Sequence, residues 1–189
     1  MRIFSQNLTN YDIPLPENSV FRINLAWINT LDDLQSLIKK HAKSEIFLDL
    51  PIGRTKPPNN KYSFDDLISI LFSNENIKYF AISNVNSADD LQKFIDKVPK
   101  HVIVVPKIES PEGVANIKNI TSVLGNKKII MLDHDDLYSN LIKKKEIPGK
   151  FKDYIINLSK FCQENNVTLL RTIGVIFSDE EKRTTQYMK

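Results

Sequence analysis

The sequence predicts an α/β protein: a TIM-type (β/α) barrel, truncated or incomplete, with about seven parallel strands. Three observations carry this. Short apolar runs of strand composition alternate with amphipathic helical patterns from Val20 to Thr172, the signature of right-handed β-α units on a parallel sheet. Polar residues gather at the strand C-termini: Arg22 and Asn24, Asp49, Ser83, Lys107 and Glu109, Asp133 to Asp136, Arg171 and Thr172. A barrel brings such ends to one mouth, whereas an open doubly wound sheet concentrates function at one switch point. The third observation is length. A complete eight-fold barrel takes about 250 residues, with roughly 200 as a lower limit, and this chain has 189.

The elements follow in order. Met1 to Leu8 reads as a short strand, and Asn10 to Ser19, with Pro14 and Pro16, as a loop. Val20 to Ala26 is the second strand, with Arg22 and Asn24 on one face and Phe21, Ile23 and Leu25 on the other. Thr30 caps a helix with Asp32 and Asp33 in its first turn and Leu31, Leu34, Leu37 and Ile38 at helical spacing. Glu45 to Leu50 is a strand ending in Asp49, and Pro51 to Lys61 is a proline-rich loop. Ser63, with Asp66 three residues on, starts a helix whose buried face is Leu67, Ile68, Leu71 and Phe72. Tyr79 to Ser83 is a strand. Ser87, with Asp90 three on, starts a helix carrying Leu91, Phe94, Ile95 and Val98.

The run from Val102 is β-branched and apolar, as in a strand buried on both faces, and ends in Lys107 and Glu109. Ser110 follows as N-cap and Pro111 as first helical residue of a helix through Val114, Ile117, Ile120, Val123 and Leu124, closed by Gly125-Asn126. Lys128 to Leu132 is a strand leading into Asp133-His134-Asp135-Asp136. A loop with Pro148-Gly149 precedes a helix from Phe151 to Glu164, and Thr168 to Thr172 is the last strand. Residues 1–177 read as one domain, and Ser178 to Lys189 as a polar tail. There is no eighth strand after Thr172, so a homo-oligomer or a partner protein is expected to complete the wall.

Composition excludes several classes. A net charge of +3, without a basic stripe interleaved by aromatics, argues against nucleic acid. No apolar stretch has bilayer length and no signal-peptide core opens the chain, so no membrane role and a cytoplasmic location are expected. The single cysteine, Cys162, fits a reduced compartment and reads as a core thiol on a helix face. His41 and His101 read as peripheral. Lys143-Lys144-Lys145 reads as a solvated loop face or the rim of an anion site. With five glycines, the chain has no G-x-x-x-x-G-K phosphate loop.

Lys107 and Glu109 lie two residues apart, on one side of a strand. They form either a structural ion pair at a strand end or part of a metal or anion site. Asp133 to Asp136 form either a solvated helix N-terminus, which acidic residues favour, or a metal-capable cluster opposite Glu109. Arg171 is either an ion-pair partner for an aspartate at the mouth or a second anion ligand.

Six segments, in the same order along the chain, resemble pyruvate kinase, of the phosphoenolpyruvate/pyruvate-binding barrel superfamily. Phe21-Arg22-Ile23-Asn24-Leu25 is similar to its R-x-N-x-S-H strand end, and Phe47-Leu48-Asp49-Leu50-Pro51 to its D-L-x-G-P turn. Ala81-Ile82-Ser83 through Leu91 is similar to S-F-V-x-S-x-x-D. Lys107-Ile108-Glu109-Ser110-Pro111-Glu112-Gly113-Val114-Ala115-Asn116 matches K-I-E-x-x-E-G-x-x-N. Ile130-Met131 with Asp136-Leu137 falls at I-M-V-A-R-G-D-L, and Thr172 at the threonine of A-T-Q-M. The lid and C-terminal domains of that family have no counterpart.

The resemblance implies a site. Glu109 and Asp136 would ligate Mg²⁺ or Mn²⁺, ions that suit hard oxygen ligands. Lys107 would stabilise a transferring phosphoryl group or an enolate oxygen. Arg22 would bind an anionic oxygen and, with Thr172, act in catalysis and substrate binding. Asp135 and Asp136 would border the substrate, and Asn24 with Asp49 would hold K⁺. Three substitutions alter this mouth: Ala26 replaces the family serine, His134-Asp135 the Arg-Gly, and Ile173 the glutamine. The expected function is Mg²⁺-dependent chemistry on phosphoenolpyruvate, pyruvate or a related 2-oxo acid, as phosphoryl transfer or enolate chemistry. A metal-dependent 2-oxo-acid aldolase or lyase is one alternative, and a non-catalytic binding or assembly subunit is the other.

Overall fold

The structure, a computed structural model, describes residues 2–5, 18–53, 58 and 60–171. The tail from Ser178, most of the Asn10–Ser19 loop, and Thr172 lie outside the described residues. The described residues fall into two compact units, those within 1–83 and 93–105, and those within 84–92 and 106–171.

The first unit carries β1 (Arg2–Ser5), β2 (Ser19–Asn24), β3 (Glu45–Leu50) and β4 (Ile77–Ile82), each parallel to the next. In-register pairing sets Arg22 beside Phe47 and Asn24 beside Asp49. Helix α1 (Leu31–Lys40) starts at a reciprocal capping box: Thr30 Oγ1 accepts from the Asp33 amide and the Asp33 carboxylate accepts from the Thr30 amide. Leu34 and Ile38 are its buried residues. Helix α2 (Asp65–Ser73) has the expected Ser63–Asp66 exchange, between a residue just upstream of the helix and one in its first turn. Its buried residues are Leu67, Ile70 and Leu71, and Phe72 is 59% exposed. The expected Ile68/Phe72 face is thereby corrected: Ile70 sits i+3 from Leu67, on the same side as Leu71, and Phe72 falls past it. Phe64, Phe80 and Phe94 pack together here: Phe94 meets the other two rings edge-on, Phe64 at 4.9 Å, and Phe64 tilts against Phe80 at 5.7 Å. The half-buried His41 ring stacks on Phe21 at 3.8 Å. Burial holds its pKa below the ordinary value, and Lys40 adds to that.

Helix α3 (Asp89–Ile95) and strand β5 (Ile103–Ile108) each pass from one unit to the other. In β5 the change falls at Pro106, whose nitrogen has no proton for a ladder bond.

The second unit contains the end of β5, then α4 (Pro111–Ala115), α5 (Ile117–Ser122), β6 (Ile129–Leu132), α6 (His134–Lys143), α7 (Lys150–Glu164) and β7 (Thr168–Arg171). β5 pairs parallel with β6, and β6 with β7. The single helix expected after Ser110 is two: Asn116 closes α4 and opens α5. Val123 is the C-cap and Gly125 has no positive φ, so the expected glycine cap is absent. Helix α6 follows Asp133, whose side chain accepts from the Asp136 amide, so the acidic run is a helix N-terminus, one of the two readings its sequence allows. The three-lysine run straddles its C-terminus, where cations favour the helix dipole. Exposed Lys144 reaches Glu112 at 3.2 Å. Cys162 is buried, and burial pushes its thiol pKa up to about 11, as befits a core thiol. No helix among the described residues is long and apolar enough to cross a membrane.

Candidate functional site

The second unit builds a carboxylate cluster from two strand ends. β5 delivers Lys107 and Glu109 to the same side, and β6 ends one residue before Asp133. Asp133 is N-cap and Asp136 the third residue of α6, so they share a helix face. Glu109, Asp133 and Asp136 each place an oxygen within 4.8 Å of the others. Asp135, rotated away by the helical period, is exposed and lies outside this cluster.

Glu109 is 2% exposed, and Lys107 is 4%. The Lys107 ammonium stands 2.9 Å from Glu109 Oε1, and Glu109 Oε2 accepts the Asn84 amide at 2.9 Å. Burial pushes the Glu109 carboxyl up to about 6 against the pull of Lys107, and Asp133 adds to the rise. Asn84 has a φ of 56°, a left-handed conformation that asparagine tolerates better than most side chains. Around it, the Asn86 carboxamide donates to Asn84 O, Ser110 Oγ donates to Asn86 Oδ1, and Asn116 Nδ2 donates to Asn86 O at 2.8 Å. Gly113 packs so closely here that a Cβ would come 2.7 Å from Val85 O.

At the end of β7, the Arg171 guanidinium reaches His134 Nε2 at 3.0 Å. A guanidinium can only donate, so His134 is neutral with its proton on Nδ1. Burial and Arg171 lower the His134 pKa, while Asp133 opposes them. Arg171 thus meets a histidine, a partner the sequence reading did not name.

The remaining predicted residues lie in the first unit. Arg22 Nε donates to Asp49 Oδ2 at 3.0 Å, and Nη2 also contacts that oxygen. Asn24 Oδ1 accepts the Ala26 amide at 3.0 Å. Register makes Asn24 and Asp49 neighbours, as a K⁺ pair requires, but their side chains are engaged elsewhere. A cavity of about 580 Å³ in this unit is lined by Leu50, Tyr62, Phe64, Phe94, Lys93 and Lys97 among others, and by none of the predicted site residues. Thr172 lies outside the described residues.

The donor set fits a hard divalent cation: three carboxylates, one of them buried, beside one ammonium. Asp133 completes that set. Its signal in the sequence was the Asp-x-x-Asp spacing at a helix start, which places both carboxylates on one face. Asn84 and Asn140, which bond Glu109, gave no such signal, because their partners are distant in the chain.

No protein-family model and no curated protein matches this chain. Among solved structures it is similar to RipC from Yersinia pestis, at 15% identity and a TM-score of 0.59, over 89% of this chain and 79% of that one. It is also similar to citrate synthase SbnG, at 14% identity and a TM-score of 0.58, over 90% of this chain and 72% of that one. Both are TIM-like, and at these identities the likeness carries the fold.

Proposed function

We propose that this chain is a Mg²⁺-dependent enzyme acting on phosphoenolpyruvate, pyruvate or a related 2-oxo acid. The observation that carries the reading is the convergence of Glu109, Asp133 and Asp136 within 4.8 Å beside the buried Lys107. These three carboxylates would hold the cation, which supplies Lewis-acid polarisation of a substrate oxygen when bound. The Lys107 ammonium offsets negative charge developing on a neighbouring oxygen. The Asn84 amide keeps Glu109 turned toward Lys107.

Within this reading, enolate chemistry is favoured over phosphoryl transfer. Lys107 already faces a carboxylate at 2.9 Å, so its charge suits a single enolate oxygen better than a transferring phosphoryl group. The same observation favours the second reading, a metal-dependent 2-oxo-acid aldolase or lyase. A structural neighbour named citrate synthase is compatible with carbon–carbon chemistry. K⁺ is left out of the proposal because Arg22 already neutralises Asp49. A cytoplasmic setting and a homo-oligomer or partner protein completing the barrel belong to it, the latter because seven strands are described where a closed barrel has eight.

The test is a thermal melt with Mg²⁺ titrated alone and with pyruvate or phosphoenolpyruvate. A ligand that binds the native state raises the melting temperature. No shift at millimolar concentrations sinks the enzyme reading and leaves an assembly subunit. Where a shift appears, pyruvate formation with and without nucleotide separates kinase from lyase.

A further inference from the structure

We infer that Asn140 is a positioning residue that sets the spacing between Glu109 and the two aspartates of α6; this rests on the metal reading above. Asn140 Nδ2 donates to the Glu109 backbone carbonyl at 2.7 Å, a bond between residues 31 apart in sequence. Asn140 lies four residues after Asp136, so the two share a face of α6 one turn apart. One turn of the helix therefore touches the Glu109 backbone while the turn before it presents Asp136 to the Glu109 side chain. Asp133, as N-cap, is carried on the same rigid element. Sliding or rolling α6 would break the Asn140 bond and change the distances from Asp133 and Asp136 to Glu109 together. Glu109 is meanwhile held from the opposite direction of the chain by Asn84, whose amide meets Oε2. The two asparagines act on different parts of one residue: Asn84 orients its carboxylate, and Asn140 locates its backbone against the helix that bears the other ligands.

The consequence is selectivity. Mg²⁺ demands a near-ideal octahedron of short bonds, whereas Ca²⁺ accepts longer and less regular ones. A residue that sets ligand spacing should matter more for Mg²⁺ than for Ca²⁺, and a residue that merely stabilises the fold should weaken both alike. The experiment is calorimetric titration of the full chain with Mg²⁺ and, separately, Ca²⁺, for wild type, Asn140→Ala and Asn140→Gln. Far- and near-ultraviolet circular dichroism identifies folded protein, and Ile130→Val, a core change with no polar contact, serves as the stability control. Asn140→Ala is expected to lower Mg²⁺ affinity about tenfold, in the range for loss of an outer-shell hydrogen bond, and Ca²⁺ affinity about threefold or less. Asn140→Gln, which keeps the donor but lengthens it, is expected to lower the Mg²⁺ to Ca²⁺ ratio in the same direction if Asn140→Ala does not fold. A Mg²⁺ to Ca²⁺ ratio equal to wild type in the folded variants overturns the positioning role alone. A wild-type chain that takes up no Mg²⁺ overturns the metal reading and this inference with it.

Discussion

Each compact unit carries a cation paired with a buried carboxylate near the end of a parallel strand, and the two pairs differ in what surrounds them. In the first unit, Arg22 on β2 reaches across to Asp49 on β3, with two nitrogens on one carboxylate oxygen. Asp49 belongs to no group of three metal-capable side chains among the described residues. In the second unit, Lys107 lies on β5 and Glu109 is the first residue past its end, and two further carboxylates come within 4.8 Å of Glu109. A strand-end ion pair is therefore not in itself a site. What marks the second pair is the surplus of carboxylates gathered on a buried group whose own carboxyl is held up to about 6.

The largest expected effects come from breaking the pairs. Glu109→Ala leaves the Lys107 ammonium buried without its carboxylate, and Asp49→Ala does the same to Arg22. Each should cost about 3–5 kcal/mol, somewhat less for Asp49 because the Arg22 side chain is 19% exposed. Urea denaturation measures both. The paired replacements Lys107→Met with Glu109→Leu, and Arg22→Met with Asp49→Leu, should each recover most of that loss. Only the first should abolish stabilisation by Mg²⁺; if both doubles keep it, the contrast between the units fails.

Next in size is the Mg²⁺ effect. At a hundredfold excess over its Kd the cation should stabilise the wild-type chain by about 2.7 kcal/mol. Asp133→Asn and Asp136→Asn should each shrink that gain, and Asp49→Asn should not. A denaturation series at fixed Mg²⁺ distinguishes these outcomes.

The pH dependence is slightly smaller. Glu109 is raised from 4.5 to about 6, so between those values the native state holds a proton that the unfolded chain has released. Its contribution to stability is fully present below about 4.5 and is lost as pH rises through about 6. At about 1.4 kcal/mol per unit this is about 2 kcal/mol. In chelator, wild-type stability relative to Glu109→Gln should fall by that amount over this window. Added Mg²⁺ should reverse the trend, because the ionised carboxylate is the ligand. A difference that stays flat with pH would show that Glu109 titrates normally.

The smallest effect is a control on the first unit. Thr30→Ala removes the α1 capping box and should cost about 1 kcal/mol while leaving Mg²⁺ affinity unchanged. A change in that affinity would mean that the carboxylate cluster responds to the first unit.

Much of the fold was legible because it depends on local rules. Alternating apolar runs marked the strands, and Thr30, Ser63, Ser87 and Ser110 marked helix starts within a residue or two. The misses have physical causes. The acidic run Asp133 to Asp136 pointed to a helix start, but the length of α6, through Lys143, was not read because the segment leads on to the Pro148-Gly149 loop. At Asn116 the backbone leaves the helical range, with φ −91° and ψ 9°, while its side chain donates to Asn86 O, a partner 30 residues away that sequence separation does not show. Phe72 was assigned inward on hydrophobicity, while the helical period turned it out. At the site, Lys107, Glu109 and Asp136 were named from their spacing and resemblance, and their grouping with Asp133 came from two strand ends lying side by side.

Period, capping residues and strand composition are local properties, and these residues alone dictated a parallel α/β chain with charge at its strand ends. Which charges meet is a matter of register and helix placement. Asp49 could have served a cation or an arginine, and the parallel register of β2 with β3 gave it to Arg22. Glu109 could have been a plain ion-pair partner of Lys107. The pairing of β5 with β6 and the seating of α6 through Asn140 brought two aspartates to it as well. Tertiary packing decided this because the energy of a buried charge depends on its neighbours in space, which sequence separation does not encode.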